Sequence, residues 1–232
     1  MRKILIVSLL LTVLMSSCVM YRPHNIAIPL LEEQGDMQLD VSVTATTPLL
    51  AVPTLDLSFA YAPLPLLGVQ AAASVADFGN YHLQVAAGTY NKIGTSVLEC
   101  YIGYARGASF DSTGSTNKHR EISGYYNMVY SQINLGWNKV FDRNFDWGFG
   151  IKGGLMMPNW ERVLINDEGT TLEETHDTPH FLLEPQLMMR FGNEKVKLTL
   201  SVSRAFLSEW PEDDNYINYN RMGFGAGVSF RF

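Results

Sequence analysis

The stretch FLLEPQLMMRF, residues 181–191, carries two different sequences on alternate positions. Phe181, Leu183, Pro185, Leu187, Met189 and Phe191 make one apolar row; Leu182, Glu184, Gln186, Met188 and Arg190 make the other. Successive side chains of a strand point to opposite faces, so one face is greasy and the other holds a carboxylate, an amide and a guanidinium. In a soluble sandwich the apolar face would be the core and the polar face would meet water. In a membrane strand the apolar face meets lipid and the polar face looks into a lumen.

The same division recurs along the chain. Ten candidate strands are read at about 36–46, 54–62, 66–76, 80–90, 95–106, 124–139, 145–157, 179–191, 195–206 and 221–232. Their greasier faces include Leu55, Leu57 and Phe59, then Leu83 and Val85, then Ile133 and Leu135, and finally Phe224, Val228 and Phe230. The opposite faces hold Asp40, Asp56, Gln70, His82, Gln84, Glu99, Gln132, Asn134, Lys152, Glu184, Gln186, Arg190, Lys197 and Arg231. Gly148, Gly150, Gly223, Gly225 and Gly227 share that side.

Short links such as NKIG and GNEK alternate with the longer polar links 106–123, 158–178 and 207–220. Tight turns at one end and extended loops at the other suit an all-β, antiparallel, up-and-down transmembrane barrel of ten strands, with eight as the alternative count. A five-on-five sandwich would leave edge strands to protect, whereas closure removes them. The composition is 47% hydrophobic, yet no apolar 20-mer follows residue 18, which excludes a helical membrane bundle.

The start of the chain reads as a targeting segment. Arg2 and Lys3 precede an apolar run over residues 4–14 and the small residues Ser16 and Ser17, the form of an export signal over residues 1–17. Met15-Ser16-Ser17-Cys18 resembles the lipobox of bacterial lipoproteins, with Met15 where leucine is usual. That resemblance implies a lipid on Cys18; the stretch to residue 35, with two prolines and no sustained alternation, reads as a lipidated tether over 18–35, and the alternating strands make 36–232 the barrel. An even strand count puts both termini at the periplasmic end, so the lipid is expected in the inner leaflet of the outer membrane. Loss of Arg2 and Lys3 moves the formal charge from -6 to -8, and without a basic patch nucleic-acid binding has no electrostatic footing. Cys18 and Cys100 are the two cysteines, so a disulfide-built fold is excluded.

Eight charged residues fall on the inward faces: Asp40, Asp56, Glu99 and Glu184 against Lys152, Arg190, Lys197 and Arg231. Unpaired charges in a narrow lumen would each cost several kcal/mol, so a hydrated salt-bridge network closing the lumen is expected.

Chemistry is harder to find. ETHDTPH offers Glu174, His176, Asp177 and His180, residue types that bind divalent ions, but in a polar loop that explains itself; no metal and no cofactor is expected. His82 and Glu99 on adjacent strands, with Ser74 or Ser201, would be the raw material of a hydrolase. Asp111, His119, Asp213 and Asp214 would be that of a rim protease. No serine motif accompanies either set. Trp210 is a candidate partner-binding loop aromatic, and Tyr61, Tyr81, Tyr104, Trp137 and Trp147 are candidate interface anchors. MGFGAGVSF lacks the lysine of a phosphate loop and reads as a strand.

PHNIAIPLLEEQGDMQLDVSV (23–43), YYNMVYSQINLGWNKVF (125–141) and FLLEPQLMMRFGNEKVKLTL (181–200) together resemble outer-membrane β-barrel proteins of the Bacteroidetes, many of them lipoproteins. FGAGVSFRF, ending at Phe232, resembles the terminal signal read by the outer-membrane insertion machinery. The resemblance implies a fold, a location, outer-membrane lipids and the assembly machinery as partners, and no active residues. The expected role is structural or surface-interacting, through the long loops. An envelope enzyme and a narrow channel are the alternatives.

Overall fold

A computed structural model of the chain describes residues 21–47, 53–77, 80–115, 118–140, 144–165, 171–208 and 221–232. Twelve strands form: β1 (Met37–Thr47), β2 (Thr54–Leu64), β3 (Leu67–Asp77), β4 (Asn80–Ile93), β5 (Ser96–Ser115), β6 (Lys118–Val140), β7 (Phe145–Ile165), β8 (Thr171–His176), β9 (His180–Gly192), β10 (Val196–Arg204), β11 (Phe206–Leu207) and β12 (Met222–Arg231). Each wall strand pairs antiparallel with its neighbour. The β7–β9 ladder, from Phe145↔Phe191 to Met156↔His180, joins the ends of the sheet. The result is a closed barrel of ten strands, with β8 and β11 as short additions at the loop end. Closure leaves no wall strand with an unpaired edge, the condition for placing a sheet in hydrocarbon.

The pleat sorts the side chains as 181–191 foretells. Phe181, Leu183, Leu187, Met189 and Phe191 face out, while Leu182, Glu184, Gln186, Met188 and Arg190 are buried inside. Leu55, Leu57, Leu83, Val85, Ile102, Ile133 and Leu198 are likewise exposed on the outer surface. A soluble protein does not display an apolar band around its whole circumference. These faces are turned to lipid, and the wall spans a bilayer.

Stacked Trp137 and Trp147, 4.2 Å apart, and Phe145 beside Phe191 stand near the tight-turn end. Tyr81, Tyr104 and Tyr125 stand exposed toward the other end, so aromatics occupy both interfacial levels.

Two expectations need correction. The links 106–123 and 158–178 are largely not loops: β5 and β6 stay paired out to Ser115↔Lys118, and β7 pairs with β8 from Trp160↔His176 to Ile165↔Thr171. Where neither lipid nor a core selects a face, nothing imposes the alternation by which a strand is recognised. Nor are residues 21–35 a tether beneath the barrel, since they lie inside it.

Candidate functional site

Residues 21–35 run lengthwise through the lumen from the loop end to the tight-turn end. Pro23 and Pro29 lack backbone donors, and the stretch joins no continuous ladder. The wall instead meets its backbone with side chains. Glu184 Oε1 accepts from His24 N at 3.2 Å; Gln186 Oε1 accepts from Ile26 N at 2.7 Å and its Nε2 donates to Ile26 O at 2.9 Å. Gln132 Nε2 donates to Ala27 O at 2.7 Å, Asn138 Nδ2 to Leu30 O at 2.9 Å, and Leu31 N donates to Glu99 Oε1 at 2.8 Å. The inward amides and carboxylates thus stand in for the neighbouring strand that this segment lacks.

Apolar contacts complete the fit. Ile26, Ile28 and Leu30 pack with Val97 and Met188, and Leu31 packs with Ala60, Ala62 and Tyr90. The inward glycines make the space: a Cβ at Gly136 would lie 2.7 Å from both Leu30 methyl carbons, and one at Gly150 would lie 3.0 Å from Ile28 Cδ1. Leu30 itself holds a left-handed backbone, φ 54°, with its carbonyl fixed by Asn138. Above this level Tyr21 joins Tyr101, Tyr126, Met128, Tyr130, Met156 and Trp160 in a second core. The lumen is therefore a packed interior built from the chain itself, where the sequence suggested a hydrated network.

The eight inward charges find unequal partners. Lys152 Nζ sits 2.8 Å from Glu184 Oε2, an ion pair off the line of a hydrogen bond, and both side chains are fully buried. Glu184 also accepts from the Tyr21 hydroxyl at 3.0 Å. Arg190 Nη2 meets Asp40 at 3.3 Å. Lys197 pairs with Asp146 at 2.6 Å, and Arg231 with Asp36 at 2.8 Å and Glu32 at 3.4 Å. Asp146, Asp36 and Glu32 were missed in the sequence because they lie at strand ends or before the first strand. Asp56 and Glu99 have hydrogen bonds in place of cations, Asp56 from Thr44 and Glu99 from Leu31 and Asn134.

Glu32 and Asp36 form a latch at the tight-turn end. Burial raises both carboxyls, but the Lys92, Arg231 and Asn138 partners of Glu32 outweigh it, as do Arg231 and the Glu32 and Glu33 amides for Asp36. Both are held below their ordinary values.

The hydrolase candidates are not assembled. His82 lies toward the loop end and Glu99 near the tight-turn end. His82 spends Nδ1 on Tyr126 at 2.7 Å and Nε2 on Gln84 at 3.3 Å; Ser74 is its cross-strand neighbour without a bond to the ring. Ser201 is on β10, opposite Gly225. In the ETHDTPH group His180 Nδ1 faces Ser208 O at 2.9 Å, and Asp177 is exposed. The side chains of Glu174, His176, Asp111 and His119 lie outside the described residues, as do Trp210, Asp213, Asp214 and Cys18 altogether. No group of metal ligands occurs among the described residues.

No family model matches the chain, and no curated protein does. Among solved structures it is similar to the N-terminal β-barrel domain of Pseudomonas aeruginosa OprF, with 10% identity and a TM-score of 0.38 over 86% of this chain and 98% of that one. It is similar to Ail, the attachment invasion locus protein of Yersinia pestis, with 10% identity and a TM-score of 0.37 over 86% and 99%. Against the Acinetobacter baumannii outer membrane protein Omp33 the identity is 12% and the TM-score 0.35, over 86% and 98%.

Proposed function

We propose that the protein is an outer-membrane barrel that works as a closed scaffold, presenting its protruding hairpins β5–β6 and β7–β8 for structural or surface contacts. The observation that carries this reading is the threading of residues 21–35 through the lumen, with wall side chains bonded to their backbone. A chain fastened at both ends of the lumen blocks ion passage, and an exported closed barrel has the outer membrane as its natural destination. Outer-membrane lipids then contact the apolar belt. Phe232 is exposed, in keeping with the resemblance of FGAGVSFRF to the signal read by the insertion machinery.

In keeping with the Bacteroidetes lipoproteins that the sequence resembles, Cys18 carries a lipid in this reading. Tyr21 lies toward the loop end, and three residues reach at most about 10 Å. The acyl chains would then enter the leaflet on the loop side, opposite to the inner-leaflet placement expected from strand parity. Labelled fatty acid incorporated by the wild type and lost in Cys18→Ala tests the attachment.

Planar bilayers test the closure. The intact chain is expected to give no steady conductance, and a variant lacking residues 21–34 a stable one. Selective conductance by the intact chain would overturn the closed-scaffold reading.

A further inference from the structure

The outer wall over β2–β5 is not evenly filled. Cross-strand register sets Phe59, Ala71, Val85 and Tyr104 in one outward row, and Leu57, Ala73, Leu83 and Arg106 in the next row toward the loop end. Ala71 and Ala73 are far shorter than their neighbours on β2 and β4, so β3 is the floor of a groove about 520 Å³ in volume. Sites for small organic ligands span about 300–1,000 Å³. The lining is mostly apolar, with Tyr104 and Arg106 at its β5 side.

Arg106 is an exposed cation on the face that meets lipid, and its height explains how it is tolerated. Ser96, ten residues before it on β5, pairs with Trp137 of the tight-turn aromatic level. Ten residues of a strand tilted about 40° rise about 25 Å, the height of an apolar membrane band. Arg106 therefore stands at the headgroup level on the loop side, where an outward cation costs little. Its guanidinium lies 5.5 Å from the centre of the Tyr125 ring, a contact that orients the charge without neutralising it. Asn127, its cross-strand partner, accepts from the Tyr104 hydroxyl at 2.5 Å through Oδ1, which leaves the amide Nδ2 as a donor. Among the described residues no carboxylate is paired with Arg106.

We infer that the groove holds an acyl chain of an anionic phospholipid from the loop-side leaflet, with Arg106 and Asn127 binding the phosphate. The chain lies over Ala71 and Ala73, between the Leu57–Phe59 bank and the Leu83–Val85 bank. Hydrocarbon surrounds the wall in any case, so apolar burial alone gives no preference for one lipid over another. The cation does, because a planar guanidinium matches two oxygens of a phosphate. A zwitterionic headgroup brings an ammonium as well, and no described carboxylate is paired at Arg106 to receive it. The site rests on the contact of the apolar belt with lipid and not on closure of the lumen. Conductance through the intact chain would therefore leave it standing.

The test is native mass spectrometry of the full folded chain in detergent, titrated with phosphatidylglycerol or with phosphatidylcholine of identical acyl chains. Wild type should retain one phosphatidylglycerol about ten-fold more tightly than phosphatidylcholine. Arg106→Gln should bring the two to equal affinity. Arg204→Gln removes another exposed outward cation, on β10 and away from the groove, and should keep the wild-type preference. Ala73→Leu, which fills the floor, should weaken both lipids about three-fold and keep their ratio. Equal retention of the two lipids by folded wild type, or the wild-type preference in folded Arg106→Gln, would overturn the site. So would loss of the preference in Arg204→Gln, which would assign it to the charge of the whole surface. Glycerol phosphate displacing phosphatidylglycerol at equal concentration would overturn the acyl-chain half. A chain that folds and stays monomeric without detergent or lipid would instead defeat the membrane wall on which the site stands.

Discussion

The two ends of the lumen solve the same electrostatic problem differently. At the tight-turn end Lys197 faces Asp146, Arg231 faces Glu32 and Asp36, and Lys92 reaches Glu32. Each of these three cations has its carboxylate. At the loop end rings do the fastening: Tyr21 packs edge-on against His24 and Tyr126, and His24 stacks on His82 at 4.0 Å. The midsection between them is fixed by the fully buried Lys152–Glu184 pair, which also holds Tyr21 and His24. One end is held by ion pairs and the other by packed rings; the pair between them keeps the threaded segment in register.

The largest expected effect comes from breaking that midpoint. Lys152→Met strands a buried carboxylate and should cost about 3–5 kcal/mol, read as a lowered urea midpoint for folding in lipid vesicles. Adding Glu184→Gln should recover part of the loss, because no uncompensated charge then remains. If the single variant is as stable as wild type, the pair does not link the two ends.

Gly136→Val probes the lower packing. Its side chain would meet Leu30, and overpacking of this kind costs about 1–3 kcal/mol. The sharper readout is conductance: expulsion of residues 26–31 should open intermittent current, whereas the equivalent change at Gly153, whose Cβ would meet nothing closer than 3.7 Å, should leave the barrel closed.

Acid weakens the tight-turn end. Because Glu32 and Asp36 are held below their ordinary values, their stabilisation is present above about pH 4.5 and is lost as pH falls through their folded values. Folding midpoints should therefore drop once the pH falls below about 4.5. Asp36→Asn should reduce that drop.

Arg231→Gln, at a partly exposed site, should cost only about 1 kcal/mol in the same folding assay. The smallest effect is expected for Trp137→Phe, which keeps an aromatic ring against Trp147 at the interface and should change the midpoint by less than about 1 kcal/mol.

Much of the wall was legible in the chain, and little of its contents. Glu184, Gln186 and Arg190 announced an inward face because every second residue beside them is apolar. Residues 21–35 announced nothing, since prolines interrupt them and their hydrogen-bond partners are wall side chains, as far away as Glu184 and Gln186, about 160 positions later. The one available signal was the surplus of inward amides and glycines, Gln132, Asn134, Gln186, Gly148 and Gly150, more polar capacity and more room than a wall needs for itself. The outer hairpins were misread for a different reason: with both faces wet, a paired strand and a polar loop share one composition.

By itself the sequence determined which side of each wall strand meets lipid, since the pleat has period two and hydrocarbon accepts only one of the two rows. It also determined that both signs of charge would be gathered inside. Which cation meets which carboxylate, and that residues 21–35 fill the lumen, were decided only in three dimensions. Those outcomes depend on distance between residues remote in the chain, and barrel closure is what brings them within reach.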